Sequence, residues 1–63
     1  MKRLYMKSNY SEWNASNQFF STLQEACVYV NNFFKNPDIC IDENIICVND
    51  FTGVLFKFEL RDQ

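Results

Sequence analysis

Histidine is absent from this chain of 63 residues. The side chain best suited to acid–base work near neutral pH, and the commonest metal ligand, is therefore missing. Glycine occurs once, at Gly53, and a loop that cradles phosphate needs several positions free of side chains, so a nucleotide site within one chain is disfavoured. Proline also occurs once, at Pro37, where it must stop any helix that precedes it and push Asn36 out of the helical region. No apolar run is long enough to span a membrane, and the stretch from Met1 to Met6 carries charge without the apolar core of a signal peptide. The expected location is cytoplasmic, with no membrane contact.

An excess of positive charge is also missing. Six Lys and Arg stand against eight Asp and Glu, a net charge of −2, and the basic field that drives phosphate binding is absent at the level of the whole chain. Direct nucleic-acid binding is not expected. Mimicry of DNA is poorly served too, because Lys2, Arg3 and Lys7 at the front and Lys57 and Arg61 at the back interrupt the acids. The three cysteines, Cys27, Cys40 and Cys47, form no CxxC motif and read as reduced, small apolar residues. None has a base or cation close in sequence to make it a thiolate, and zinc would want four ligands. Asp42-Glu43 and Asn49-Asp50 read as short acidic turns without calcium-loop spacing. No catalytic residue, metal ligand or cofactor site is expected, and the chain reads as non-enzymatic.

What the chain does have is rings: seven Phe, three Tyr and one Trp, in a composition 48% apolar. Its length supports one domain, residues 1–63, and a domain this small hides only about 60% of its unfolded surface. Large aromatic side chains make a core feasible. The fold remains marginal, so a staple or a partner is expected.

The clearest element is a helix opened by Ser21-Thr22-Leu23-Gln24-Glu25, where Ser21 with Gln24 or Thr22 with Glu25 has the capping-box spacing. Leu23, Ala26, Cys27, Val30 and Phe34 then fall on one stripe, with Phe33 at its edge. After Pro37 the period changes to two. Val54, Phe56, Phe58 and Leu60 share a core face. Asp50-Phe51-Thr52-Gly53 reads as a turn closed by a left-handed glycine, which pairs Asp50 with Val54 and sets Val48 opposite Phe56 and Ile46 opposite Phe58. A two-residue loop at Glu43-Asn44 pairs Ile41 with Ile46 and Ile39 with Val48, so Cys40 lies opposite Cys47. The two registers agree on one core face. Leu4 and Met6 alternate with polar neighbours as a strand over about residues 3–8. The next residues read as a loop or second short strand, ending in a strand-like Gln18-Phe19-Phe20. The expected fold is α+β in two layers, one helix on one face of roughly three to five antiparallel strands, in the order β(β)αβββ.

No second helix exists to cover the other face, which should carry Cys40, Ile45, Cys47 and Leu55, with Tyr5 if the first strand joins the sheet, and with Lys57 and Glu59 toward an edge. An uncovered apolar patch on a marginal domain marks a partner surface. Tyr10 and Trp13 lie in the polar N-terminal stretch and are of the types that dominate binding hot spots. Val28 and Tyr29 lie off the buried helix stripe as a second contact patch. The expected partner-binding residues are thus Tyr5, Tyr10, Trp13, Cys40, Ile45, Cys47 and Leu55.

These observations imply a protein–protein interaction module, self-associating as a homodimer, that regulates or inhibits a partner protein. The rival readings are a small-molecule or nucleotide site formed across a dimer interface, and a structural subunit of a larger complex. Many Asn, Phe, Ile and Tyr with few Gly, Ala, Pro and Arg match an AT-rich coding sequence, as in a low-GC bacterium or its phage. A phage or mobile-element inhibitor of a host or defence enzyme fits that composition.

Overall fold

The computed structural model describes residues 1–34, 38–50 and 52–62. Five strands and one helix follow one another as β1 (Lys2–Ser8), β2 (Asn14–Phe20), α1 (Leu23–Phe33), β3 (Asp38–Asp42), β4 (Ile45–Asn49) and β5 (Leu55–Asp62). The strands form one antiparallel sheet in the order β2-β1-β5-β4-β3, with the helix on one face. This is the expected α+β arrangement, with the optional second strand present. No helix among the described residues is long and apolar enough to cross a membrane.

The helix begins where its capping chemistry sits. Thr22 is extended, its hydroxyl accepts the Glu25 amide at 3.2 Å, and the Glu25 carboxylate accepts the amides of Thr22 and Ser21 at 3.1 Å each. Two otherwise orphaned amides at the helix start are thus satisfied reciprocally. Of the two capping boxes the sequence offers, the one formed is Thr22 with Glu25. The described helix ends at Phe33, and the Phe34 amide donates back to the Val30 carbonyl. The expected stop at Asn36-Pro37 lies outside the described residues.

Both hairpin registers are as the turns dictate. Ile39 pairs with Val48, Cys40 with Cys47 and Ile41 with Ile46. Across the next ladder Ile46 pairs with Phe58 and Val48 with Phe56. In the second turn the Asp50 amide donates to the Val54 carbonyl, the Gly53 amide donates to the Asp50 carbonyl, and Gly53 takes φ +90°. Phe51 of that turn is outside the described residues. In the first turn Glu43 takes φ +56°, a left-handed conformation that costs a residue with a side chain roughly 1–2 kcal/mol.

The core is Leu4, Ala26, Val30, Ile46, Val48 and Phe58, with Phe20, Leu23, Cys27, Tyr29, Phe34, Ile39, Phe56 and Leu60 packed around it. Tyr29 belongs to this shell. It packs at 5.4 Å between ring centroids on Phe20 and 6.2 Å on Phe33, so it is not part of an exposed second patch, whereas Val28 is exposed. A helix of 11 residues is only about 16 Å long and 10 Å wide. It cannot roof five strands spaced about 4.8 Å apart, and Met6 and Ile41 on the helix side remain exposed.

Two expectations change, one for the N-terminal third and one for the place of β5 in the sheet. The second strand is a full seven residues, Asn14–Phe20, longer than Gln18-Phe19-Phe20 alone. It pairs Tyr5 with Ala15 and Arg3 with Phe19. Two extra residues bulge out of β2 between those pairs, and the Ser16 hydroxyl donates to the Leu4 carbonyl there at 2.7 Å. Lastly, β5 is the central strand, because β1 pairs along its other side. Lys57 and Glu59 therefore lie in the middle of the open face, away from the edges.

Candidate functional site

Residues paired across an antiparallel ladder share a face, so the registers lay out the open face row by row. One row runs Phe19, Arg3, Arg61. The next runs Ala15, Tyr5, Glu59, Ile45, Asp42. A third runs Lys7, Lys57, Cys47, Cys40, and a fourth runs Leu55, Asn49, Asp38. Tyr5, Ile45, Cys47 and Leu55 are half-buried, and Cys40 is exposed on edge strand β3. Cys27 sits on the helix, on the other side of the sheet, packed against the core.

Trp13, just before β2, folds onto this same face. The Arg61 guanidinium carbon lies 4.4 Å from the Tyr5 ring centroid and 5.2 Å from that of Trp13. The Lys7 ammonium stands 5.9 Å over Trp13, and the Arg3 guanidinium 4.9 Å over Phe19. Each is within the range where a cation is drawn to a ring face, at about 0.5–1 kcal/mol when exposed. Arg61 Nε also donates to Glu59 at 2.6 Å, an ion pair with both partners partly solvated.

Four of the six basic residues, Arg3, Lys7, Lys57 and Arg61, thus gather on one face of an acidic chain. Arg3 pairs directly opposite Arg61, and Lys7 directly opposite Lys57. Arg3 Nε is buried without a hydrogen-bond partner. Tyr10 stands apart from the sheet at 82% exposed, on the loop between β1 and β2. That loop is ordered by Ser8 and Ser11: the Ser8 amide donates to the Ser11 hydroxyl, and the Tyr10 amide donates to the Ser8 hydroxyl, both at 3.1 Å. Between this loop and the face runs an open groove of about 500 Å³, walled by Lys7, Lys57, Leu55 and residues 8–12. The apolar pit on the helix side, lined by Leu4, Met6, Tyr29, Phe33 and Phe58, holds only about 60 Å³, well under the ~300 Å³ of a typical small-molecule site.

Of the seven residues singled out from sequence, six fall on the open face, and Tyr10 lines the groove at its end. The sequence reading missed Arg3, Lys7, Phe19 and Arg61, which turn half of the face from apolar to cationic and aromatic. Among the described residues, no group of Cys, Asp and Glu is arranged to hold a metal ion. The Asp50 carboxyl is held below its ordinary value, first by the Thr52 hydroxyl and then by backbone amides of the turn. This is local turn chemistry, since Asp50 accepts from the Thr52 amide at 2.8 Å and the Val54 amide at 3.1 Å. Comparison with known protein families, curated proteins and solved structures returns no match for this chain.

Proposed function

We propose that this chain is a non-enzymatic module that docks onto a partner protein through its open sheet face and thereby regulates or inhibits it. The observation that carries the reading is the composition of that face. Half-buried Tyr5, Trp13, Ile45, Cys47 and Leu55 lie on one face that the single helix does not cover, with Glu59 and Lys57 set among them. Rings held in place by cations, ringed by polar groups, are the usual makings of a binding hot spot. The finer reading, an inhibitor encoded by a phage or mobile element and acting in the cytosol, draws its support from composition alone.

The test is site-specific crosslinking in the native host, with a photoreactive residue replacing Leu55 in one variant and exposed Val28 on the helix in another. A discrete protein adduct from position 55 and none from position 28 is expected. Adducts from position 28 alone would move the docking surface to the helix and end this reading.

A further inference from the structure

The open face is built at a cost to the free protein. Like charges placed directly opposite each other on adjacent strands destabilise a sheet, yet Arg3 faces Arg61 and Lys7 faces Lys57. The two rows are four residues apart along β1, about 13 Å. Arg61 pairs with Glu59, and no described carboxylate forms an ion pair with Arg3, Lys7 or Lys57. We infer that the face recognises an acidic protein surface: a partner segment whose carboxylates meet these two cation rows while Leu55 and Ile45 take its apolar flank. This inference rests on the docking reading above and specifies the partner's chemistry.

Two competing occupants fit less well. A single-stranded nucleic acid would need ring faces on which to stack bases, but Tyr5, Trp13 and Phe19 each already carry a cation over the ring. The patch is also short for a polyanion, because Asp38 and Asp42 on β3 close it two strands from β5, about 10 Å away. A second copy laid face to face would offer Asp38 and Asp42 at one edge and Glu12 at the groove, with Glu59 already paired to Arg61, while setting its own four cations against these.

Trp13 is the only tryptophan and lies in the patch, so its fluorescence reports occupancy. The full chain is titrated with a synthetic peptide alternating glutamate and leucine-flanked serine, with the same peptide carrying glutamine for glutamate, and with an oligothymidylate of similar length. Saturable binding of the glutamate peptide is expected, weakening roughly tenfold between low and physiological salt, with the glutamine peptide inert. The double variant Lys7→Gln, Lys57→Gln, checked by circular dichroism for an intact fold, should lose that binding. Tighter binding of the oligothymidylate, or a mass that doubles with concentration and reverts in the double variant, would assign the patch to nucleic acid or to a second copy and overturn the inference. No response to any probe overturns it as well. The docking reading fails separately: a host partner that still binds the lysine double variant but not Leu55→Asp leaves the face standing without the acidic partner, whereas one that binds both removes the face itself.

Discussion

Reversing one charge in the lysine row should make the free protein more stable. Lys7 and Lys57 are direct cross-strand partners, with backbones about 5.5 Å apart, and unit charges held at that spacing repel by at most roughly 0.7 kcal/mol in water at low ionic strength. In Lys7→Glu the repulsion becomes attraction of similar size, a swing of about 1.4 kcal/mol by the same arithmetic. Loss of the Lys7 contact with Trp13 takes back about 0.5 kcal/mol. Glu12, which lines the same groove, trims the remainder further. A net gain of at most about 0.9 kcal/mol raises the melting temperature of a domain this size by no more than roughly 7 °C. The assay is thermal melting by circular dichroism at low salt and again at 1 M salt, where the screening length falls to about 3 Å and the gain should vanish. A lower melting temperature at low salt, or a gain that survives 1 M salt, refutes the claim that the face stores repulsion.

Two further perturbations test the turns. Because the Asp50 carboxyl is held below 3.8 in the folded chain, it contributes stability at pH values above the ordinary carboxylate value, and that contribution is lost as pH falls through the lowered one. Urea melts across the acid range should show this limb for the native chain and a flatter one for Asp50→Asn; equal slopes would mean the turn does not hold the carboxylate. At Glu43, glycine removes the left-handed penalty of about 1–2 kcal/mol while adding unfolded-state entropy of about 0.5–1 kcal/mol. Glu43→Gly should therefore stabilise by about 0.5 kcal/mol in denaturant melts, and a destabilised variant would show that the Glu43 side chain contributes more than its backbone costs.

The last three strands were legible because two constraints meet there. Period-two patterning fixes which residues share a face, and a short turn of known length fixes the offset between strands. Gly53 and Glu43-Asn44 supplied those offsets, so Cys40 opposite Cys47 follows from counting. Strand β2 was not legible for the opposite reason. Asn14-Ala15-Ser16-Asn17-Gln18 has little intrinsic preference for a strand, and it becomes one as an edge because β1 offers a ladder to pair with. The order of the sheet was equally hidden, since nothing local tells β5 to return beside β1. That single long-range pairing brings the front and back basic clusters together. Parity alone held the remaining clue: Arg3 and Lys7 share odd spacing with Tyr5, and Lys57 and Arg61 share it with Leu55.

The chain's net charge of −2 argues against direct nucleic-acid binding, but a sum says nothing of where on the fold the charges collect. Strand pairing sorts the charges within the open face: four cations gather on β1 and β5 around Glu59, while Asp38 and Asp42 lie at the β3 edge and Glu25, Glu43 and Asp50 lie at the helix start and in the turns. The face itself is polarised, from a mostly cationic β1–β5 half to an acidic β3 edge. An acidic partner is attracted to the β1–β5 half and repelled by the β3 edge and the turns, so the charge contributes mainly by orienting the encounter, and affinity then rests on what the oriented face buries. On this view the rows of like charge are tolerated because they are relieved only in the complex. Salt should accordingly slow association far more than it speeds dissociation, whereas replacement of Leu55 should do the reverse.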